Sequence, residues 1–344
     1  MEKIKVLIVD DSSFVRKALI RIFDADPDIE VIGVAISGKE AIEKVPLLNP
    51  DVLTLDINME GMDGLETLKI IMESHPLPVL MVSHFTKQGA ELTLKALDLG
   101  AMDFVDKSTA GIMDLSDLAK EITSKVKSIA GNKPVKIGQR VKPLPSKKDK
   151  GLVDVVAIAT STGGPLALQM LLPKFSKDIN FAILVVQHMS RGFTGPLANR
   201  LDTMCDIKVK EAEEGDIVRP GVSFIAPAGL HMTVKKVLGP EFGFQERISL
   251  GDKPFEELHK PSANVLFSSV AHVYGKRSIG VIMTGMGSDG VKGLGAMKKA
   301  GGFIIAQDKA TSAIFGMPRV AIENKVVDKV LPITSIAEEI LSRV

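Results

Sequence analysis

Short runs of aliphatic and β-branched residues alternate with segments that carry an apolar residue every three or four positions, from the N-terminus to about residue 128. This alternation of strands and helices predicts a parallel sheet covered by helices on both faces. Helices are expected in segments such as SFVRKALIRIFDA and GLETLKIIMES. The five predicted strands have the sequences KVLIVD, EVIGVA, DVLTLD, PVLMVS and DFVDK.

A second alternation of the same kind predicts another α/β domain over residues 151–344, doubly wound and with a mainly parallel sheet. Helices are expected in PLALQMLLPKF, FTGPLANRLD and VKGLGAMKKA, and a hairpin insertion in GPEFGFQERISL. The predicted strands are LVDVVAIAT, FAILVVQH, VSFIAP, SIGVIMTG and GFIIAQD. Between the two domains, residues 129–150 are rich in proline, lysine and arginine and show no sustained apolar period, which predicts a linker.

Composition and charge narrow the class of protein. Of 344 residues, 45% are hydrophobic and 25% charged, and 43 basic against 42 acidic residues leave a net charge of +1. No nucleic-acid partner is predicted from so balanced a charge. No apolar run approaches the roughly 20 residues that cross a bilayer, and no signal peptide is recognised, so we expect no membrane insertion and a cytoplasmic location. The single cysteine, Cys205, is expected to be structural.

Acidic residues close two strands of the first domain. Asp10 and Asp11 follow the first strand, and Asp56 ends the third. The carboxyl ends of parallel strands share one crevice, so these carboxylates are expected to converge and to bind Mg²⁺ through oxygen ligands. Ser83 ends the fourth strand and Lys107 the fifth, which adds a hydroxyl and a positive charge to the same rim. Together these residues predict that Asp56 accepts a phosphoryl group.

The second domain carries a serine, a histidine and an aspartate at the ends of predicted strands. Ser161 lies in a Ser-Thr-Gly-Gly turn before Pro165, which is expected at the start of a helix. His188 ends the next apolar strand, and Asp289 follows the strand SIGVIMTG. These positions predict a nucleophile, a general base and the acid that orients the base. The other histidines are expected to be surface or packed residues: His75, His84, His231, His259 and His272.

Two other functions remain open for the second domain at this point. Gly285, Gly287 and Gly290 form a G-x-G-x-x-G pattern between a strand and a helix, and Asp308 ends the following strand, as in dinucleotide-binding units. That interpretation leaves Ser161 without a role. A non-catalytic interaction module would require the serine and histidine loops to be ordinary caps and turns.

Residues 1–128 resemble a response-regulator receiver domain, which implies a flavodoxin-like (βα)5 fold. The resemblance rests on the Asp-Asp pair after the first strand, the phospho-acceptor Asp56, the switch hydroxyl Ser83 and Lys107. It implies that Mg²⁺ is bound by Asp10, Asp11 and Asp56, and that the aromatic Phe104 changes rotamer on phosphorylation. One departure is Glu60, which stands where many receivers carry proline.

Residues 151–344 resemble the catalytic domain of the CheB family of chemotaxis protein-glutamate methylesterases, in the motifs ATSTGGP, VVQHM, FIAPAGLHM, KPSANVLFSSVA and TGMGSDG. The resemblance implies a triad of Ser161, His188 and Asp289, with the backbone amides of Thr162 and Met286 as oxyanion donors. The chain departs from the common pattern at three positions: Ser190 and Arg191, where a proline usually begins, and Asn264, where many members carry Asp.

The family resemblance implies a phosphorylation-activated enzyme that hydrolyses glutamate γ-methyl esters on chemoreceptors and releases methanol. It implies a chemotaxis histidine kinase as phosphodonor, methylated chemoreceptor cytoplasmic domains as substrate, Mg²⁺ in the receiver, no cofactor for the esterase and a monomer. The unphosphorylated receiver is expected to restrain the esterase. Glutamine deamidation stays open, because it uses the same acyl chemistry with an amide leaving group.

Overall fold

The structure is a computed structural model that describes residues 2–83, 87–107, 115–132, 143–144, 153–239, 243–254 and 256–344. The chain forms two compact units that divide between residues 137 and 138. This division falls within the predicted linker. Its boundaries, 129 and 150, stay a prediction, because most of the linker lies outside the described residues, as does His84.

The first unit is built on a five-stranded parallel sheet with the order β2-β1-β3-β4-β5. Its strands are β1 (Ile4–Val9), β2 (Ile29–Ala35), β3 (Val52–Asp56), β4 (Val79–Ser83) and β5 (Asp103–Asp106). Its helices are α1 (Ser13–Asp24), α2 (Gly38–Leu48), α3 (Gly64–Ser74), α4 (Lys87–Asp98) and α5 (Leu115–Ile129). All five predicted strands are present, and the predicted α/β class is confirmed.

The strand order of the first unit fixes where its site lies. β1 pairs with β2 on one side and with β3 on the other, so the chain changes direction across the sheet between β1 and β3. Ligands of open α/β sheets bind in the crevice at the carboxyl ends of the strands at such a switch point. Asp10 directly follows β1, and Asp56 is the last residue of β3. Both carboxylates therefore lie at this crevice.

The second unit contains a seven-stranded sheet with the order β14-β13-β12-β6-β7-β9-β8, and all its pairings are parallel. Its strands are β6 (Val155–Thr160), β7 (Ala182–Gln187), β8 (Lys208–Glu211), β9 (Val222–Ile225), β12 (Ser278–Ile282), β13 (Phe303–Gln307) and β14 (Lys329–Leu331). Its helices are α6 (Gly164–Leu171), α7 (Thr194–Met204), α8 (Ala263–Tyr274), α9 (Val291–Lys299), α10 (Met317–Glu323) and α11 (Ile333–Ser342).

An antiparallel hairpin interrupts this unit between β9 and β12. Its strands β10 (His231–Leu238) and β11 (Phe244–Gly251) pair along their whole length. The predicted insertion GPEFGFQERISL covers only the turn and the second strand, and residues 240–242 of that turn lie outside the described residues. The first strand, β10, was not predicted, because the adjacent Lys235 and Lys236 interrupt the alternation of polar and apolar positions in HMTVKKVL.

Apolar side chains from the sheet, the hairpin and α8 form the core of the second unit, including Leu184, Phe224, Met232 and Phe267. β12 pairs with β6, while β7 pairs with β6 on its other edge, so the switch point of this sheet lies between β6 and β12. The loops that follow β6 and β12 carry Ser161 and Gly285 to one crevice. Among the described helices, none combines the length and hydropathy required to span a membrane.

Candidate active site and phosphorylation site

Three carboxylates meet at the switch point of the first unit. Asp10, Asp11 and Asp56 each offer an oxygen, and these oxygens lie within 4.8 Å of one another. Lys107 Nζ lies 2.7 Å from Asp10 Oδ2 and 2.7 Å from Asp56 Oδ2. Ser12 N donates to Asp10 Oδ1 at 2.9 Å, which fixes the second oxygen of that carboxylate. The predicted acids and lysine are thus brought together, and an all-oxygen donor set fits Mg²⁺.

Burial shifts the pKa of the Asp56 carboxyl. Its side chain is nearly inaccessible, and the loss of hydration raises its pKa above the ordinary value, to which the nearby charge of Asp10 adds. Lys107 acts in the opposite direction, through its charge and its hydrogen bond. A divalent cation would supply the positive charge that three acids and one lysine lack, so the cluster is suited to bind one.

The departure at Glu60 has a structural consequence. The Glu60 amide donates to Asp11 Oδ2 at 3.2 Å. A proline at this position has no N–H and would not make this bond. Asp11, the exposed member of the cluster, is therefore held from the loop after β3 by a contact that the common sequence pattern lacks.

The two predicted switch residues are both buried. Ser83 is the last residue of β4, directly beside β3, and is fully buried. Phe104 lies in β5, and Lys125 Nζ donates to its carbonyl at 2.6 Å while lying 5.4 Å from the centre of its ring. Their part in a switch stays a prediction.

The turn that carries Ser161 is so tight that it requires glycine at two positions. Gly163 has φ +75°, and a Cβ there would lie 2.5 Å from Ala313 Cβ. A Cβ on Gly164 would lie 2.1 Å from Gln187 Oε1. Ser161 N donates to Thr284 O at 3.0 Å, and Gly164 N donates back to Ser161 O at 2.8 Å. Ser161 is thereby fixed between β6 and α6, at whose start Pro165 lies as predicted.

Gln187, the last residue of β7, connects the serine and the histidine. Its Nε2 donates to Ser161 O at 2.9 Å and to His188 O at 2.8 Å. The backbone amide of His188 also donates to Thr160 O at 3.0 Å. Gln187 was not predicted as a site residue, although the register of the neighbouring strands, which pairs Thr160 with Gln187, places it beside the turn.

His188 and Asp289 form a direct hydrogen bond. His188 Nε2 lies 2.8 Å from Asp289 Oδ2; the side chain of Asp289 is buried, and that of His188 is partly buried. A carboxylate can only accept, so Nε2 carries the proton and Nδ1 holds the lone pair. Nδ1 is itself buried, and none of the described residues forms a hydrogen bond with it. The structure therefore joins the predicted base and acid directly, and links Ser161 to them through Gln187.

Asp289 is held by the N-terminus of α8. Its Oδ2 accepts from Ala263 N at 2.7 Å, and its Oδ1 accepts from Ser262 Oγ at 2.9 Å and from Asn264 N at 3.0 Å. Burial opposes its charge, but the bond from His188 and these helix amides outweigh burial and lower the pKa to about 2. Asp289 is therefore an anion at neutral pH and can stabilise a charged His188.

The two predicted oxyanion donors lie in the loops that flank Ser161. Thr162 is buried, and its carbonyl accepts from Thr284 Oγ1 at 2.9 Å. Met286 follows Gly285, where a Cβ would lie 2.7 Å from Ser161 Cβ. Both backbone segments thus adjoin Ser161 from the β6 and β12 sides. Their role as donors stays a prediction.

Comparison with known proteins identifies the family. Residues 156–340 match the family model described as CheB methylesterase. The chain belongs to the CheB methylesterase family. Residues 6–120 match the response regulator receiver domain. The predicted family, the receiver fold of the first unit and the α/β fold of the second are confirmed.

Similar proteins cover the whole chain. A protein-glutamate methylesterase/protein-glutamine glutaminase of Lawsonia intracellularis is 44% identical over 98% of this chain and 98% of its own. One of the same name from Pyrococcus horikoshii is 45% identical over 99% of this chain and 94% of its own. A crystal structure of the Thermotoga maritima CheB methylesterase catalytic domain is 40% identical and covers 56% of this chain and 99% of its own, with a TM-score of 0.53.

In this CheB-family chain the glycine-rich loop serves the esterase site, so the dinucleotide interpretation is not favoured. Gly285 lies against Ser161, and Asp289, inside the loop, binds His188. Asp308, the expected ribose ligand, instead accepts from Thr311 N at 3.0 Å within its own turn. The small residues of this loop therefore permit a close approach to the serine turn.

Two histidines that the sequence assigned to surface or packing roles lie near the predicted triad, one against His188 and the other against Ser262, which contacts Asp289. The ring of His259 stacks on that of His188. His231 is buried, with Nδ1 3.2 Å from Ser262 N and Nε2 3.1 Å from Pro254 O. Neither contact has a signal in the sequence, because each joins loops that are distant along the chain.

Two of the departures from the common CheB pattern, Asn264 and Arg191, contact glycines of neighbouring loops. Asn264 Oδ1 accepts from Gly290 N at 3.0 Å and from Gly293 N at 3.1 Å, so it joins the first turn of α8 to the start of α9. Arg191 lies against Gly229, where a Cβ would lie 2.3 Å from its Nε. Asn264 therefore supports the loop of Asp289 as an acceptor without charge.

Proposed function

We propose that this chain is a phosphorylation-activated protein-glutamate methylesterase that hydrolyses glutamate γ-methyl esters on chemoreceptors and releases methanol. The hydrogen bond between His188 and Asp289, beside the Ser161 turn, is the observation that carries the proposal. Three features support the proposal: His188 is a base held in one tautomer, Asp289 is its ionised partner, and Ser161 lies at the switch point of the sheet. Membership in the CheB family and the names of the relatives agree with this activity.

Acylation begins with attack of Ser161 Oγ on the ester carbonyl carbon. His188 accepts the serine proton at Nδ1, the nitrogen that does not face Asp289. The C–O bond to the methoxy group then breaks, and that group leaves as methanol with the proton from His188. The attack requires a rotation that brings Ser161 Oγ to Nδ1, and such contacts are commonly longer before substrate binds.

Deacylation regenerates the enzyme. Water loses a proton to His188 Nδ1 and attacks the acyl carbon, the C–O bond to Ser161 breaks, and Ser161 Oγ regains the proton. The product is the glutamate carboxylate. A glutamine side chain follows the same steps with ammonia as the leaving group, so we propose glutaminase activity as well. The amides of Thr162 and Met286 would stabilise the oxyanion in both reactions.

Phosphorylation of Asp56 would control the esterase. An Asp56 oxygen attacks phosphorus of the kinase phosphohistidine, and the donor P–N bond breaks. Mg²⁺ held by Asp10, Asp11 and Asp56 would neutralise charge on the transferred group. Lys107, which already contacts Asp56 at 2.7 Å, adds a second positive charge. Ser83 and Phe104 would then respond, and the restraint on the esterase would be released.

The proposed partners follow from this reaction. A chemotaxis histidine kinase is the phosphodonor, and methylated chemoreceptor cytoplasmic domains are the substrate. We place the enzyme in the cytoplasm, because both partners present their reactive groups there. We also propose that it is a monomer.

Methanol release from methylated receptor membranes tests the esterase directly. The Ser161→Ala variant should release no methanol, because Ser161 Oγ is the nucleophile of the proposed mechanism. Ser268→Ala is a matched control, since Ser268 is exposed on α8, and should release methanol at the wild-type rate. Undiminished release by Ser161→Ala would remove Ser161 from the mechanism.

A further inference from the structure

His231, the first residue of β10, is a buried histidine whose two ring nitrogens have partners of opposite kind. Its side chain is among the most buried polar groups of the second unit, with 1% of the residue exposed. Nε2 lies 3.1 Å from Pro254 O, which can only accept. Nδ1 lies 3.2 Å from Ser262 N, which can only donate. These partners fix a neutral ring with its proton on Nε2 and its lone pair on Nδ1.

Ser262 transmits the position of His231 to the triad. It precedes α8, but its hydroxyl does not cap that helix. Instead Ser262 Oγ donates to Asp289 Oδ1 at 2.9 Å. The next two amides, of Ala263 and Asn264, donate to the same carboxylate at 2.7 and 3.0 Å. Three of the hydrogen bonds that orient Asp289 therefore come from the backbone segment whose first amide is bonded to His231.

We infer that His231 is a positioning residue for the proposed esterase reaction, acting through Ser262 on Asp289 and through Asp289 on His188. This inference rests on the proposed function for its effect on rate. The chain of contacts runs from His231 Nδ1 to Ser262 N, from Ser262 Oγ to Asp289 Oδ1, and from Asp289 Oδ2 to His188 Nε2. His231 touches no reacting atom.

The position of Asp289 depends on His231 Nδ1, which accepts the hydrogen bond from the Ser262 amide. Without it the Ser262 amide would be a buried donor with no partner, and the start of α8 would shift to reach another acceptor or water. A shift of that segment moves three donors to Asp289 together. The carboxylate would then turn away from His188, and the imidazolium that forms during acylation would lose stabilisation.

Two substitutions of His231 distinguish the roles of its two ring nitrogens. In His231→Asn the side-chain oxygen lies two bonds from Cβ, as Nδ1 does, so it can accept from Ser262 N. In His231→Gln the amide nitrogen reaches the place of Nε2 and can donate to Pro254 O, but no acceptor faces Ser262. His272→Gln is the matched control, because His272 is exposed on α8. All variants are made in the full chain and compared in melting temperature.

The test measures methanol release from methylated receptor membranes at saturating phosphodonor and Mg²⁺. We expect His231→Gln to lower kcat by about tenfold with KM unchanged, which corresponds to about 1.4 kcal/mol of transition-state stabilisation. His231→Asn and His272→Gln should stay within about threefold of wild type. Equal losses in His231→Asn and His231→Gln, or no loss in His231→Gln, would overturn the inference.

A spectroscopic readout separates this inference from the proposed function. The Nε2 proton of His188, bonded to Asp289, should give a downfield proton resonance that disappears in His188→Gln. The inference predicts that this resonance moves upfield in His231→Gln and keeps its position in His231→Asn and His272→Gln. An unmoved resonance in His231→Gln would contradict the relay. Movement in a protein whose wild type releases no methanol would support the relay and reject the esterase proposal.

Discussion

The imidazole ring of His259 stacks on that of His188, with ring centroids 4.3 Å apart and ring planes 22° from parallel. Burial lowers the pKa of His259, and the charge of His188 lowers it further, against the opposing charges of Asp289 and Glu257. His259 is therefore disfavoured as a cation beside a charged His188. In the proposed mechanism, an uncharged ring at residue 259 therefore lies against His188 while His188 holds the serine proton.

A fixed charge at residue 259 should slow the reaction. His259→Lys places a cation beside His188, so we expect kcat to fall by at least about tenfold at pH 7. His259→Phe keeps a stacked ring without a titrating group and should stay within about threefold of wild type. Methanol release at saturating substrate measures both. Equal kcat values for the two variants would show that the charge of residue 259 has no influence on His188.

Replacing Asp289 by asparagine should disable the base without removing a hydrogen-bonding group. The amide side chain of the Asp289→Asn variant would set a donor or a weaker acceptor against Ala263 N and His188 Nε2, which in the wild type both donate to one carboxylate oxygen. By analogy with the same change in serine proteases, we expect kcat to fall by about 10³- to 10⁴-fold. Asp308→Asn is the control, since Asp308 bonds within its own turn. A loss below about tenfold in Asp289→Asn would exclude Asp289 as the orienting acid.

The close approach of Gly285 to Ser161 predicts the effect of a single methyl group. In Gly285→Ala the new Cβ would lie 2.7 Å from Ser161 Cβ and 3.0 Å from Ser161 N. The serine turn would have to move, and displacement of a nucleophile by about 1 Å costs about 100-fold in rate. Gly295→Ala, whose Cβ would meet Val326 at 3.7 Å, should leave kcat unchanged. Wild-type kcat in Gly285→Ala would show that the turn is not tightly packed.

The strands that carry the site residues were predictable because each has a strong local signal. Runs such as KVLIVD and FAILVVQH are apolar and β-branched, and the residue that ends each run lies at the carboxyl edge of a parallel sheet. Asp56 is the last residue of β3, and Asp10, Ser161 and His188 each directly follow a strand. β8 and β14 were missed, since each is a short strand at the edge of its sheet with exposed charged residues.

The residues that support the site were not predictable from local pattern. Gln187 reads as one more residue of a buried strand, and His231 as the start of a mixed segment. Ser262 and His259 lie in an irregular stretch before α8. Several of their contacts join residues far apart along the chain, 26 positions for Gln187 with Ser161 and 71 for His259 with His188. Only the folded chain brings these partners together.

The raised pKa of Asp56 predicts how Mg²⁺ binding depends on pH. The ligand is the carboxylate, and burial, aided by the charge of Asp10, makes Asp56 take up a proton at a higher pH than the ordinary value of 3.8. As pH is lowered, Mg²⁺ affinity should therefore begin to fall at a higher pH than that at which an exposed aspartate titrates. Isothermal titration calorimetry over a series of pH values measures this in wild type and Asp56→Asn. A wild-type affinity that falls only at the pH where an exposed aspartate titrates would contradict an elevated pKa.

We propose that one phosphorylated aspartate controls one serine esterase, and methanol release with and without phosphodonor tests this control most directly. Methylated receptor membranes are incubated with wild type, Asp56→Asn, Ser161→Ala and Asp24→Asn, in Mg²⁺ with or without a small-molecule phosphodonor. Asp24→Asn is the control for loss of a carboxylate, because Asp24 is exposed at the end of α1.

We predict that phosphodonor raises release by wild type and Asp24→Asn, leaves Asp56→Asn unchanged, and has no effect on Ser161→Ala, which releases no methanol under either condition. Stimulation that persists in Asp56→Asn, or release that persists in Ser161→Ala, would contradict the account.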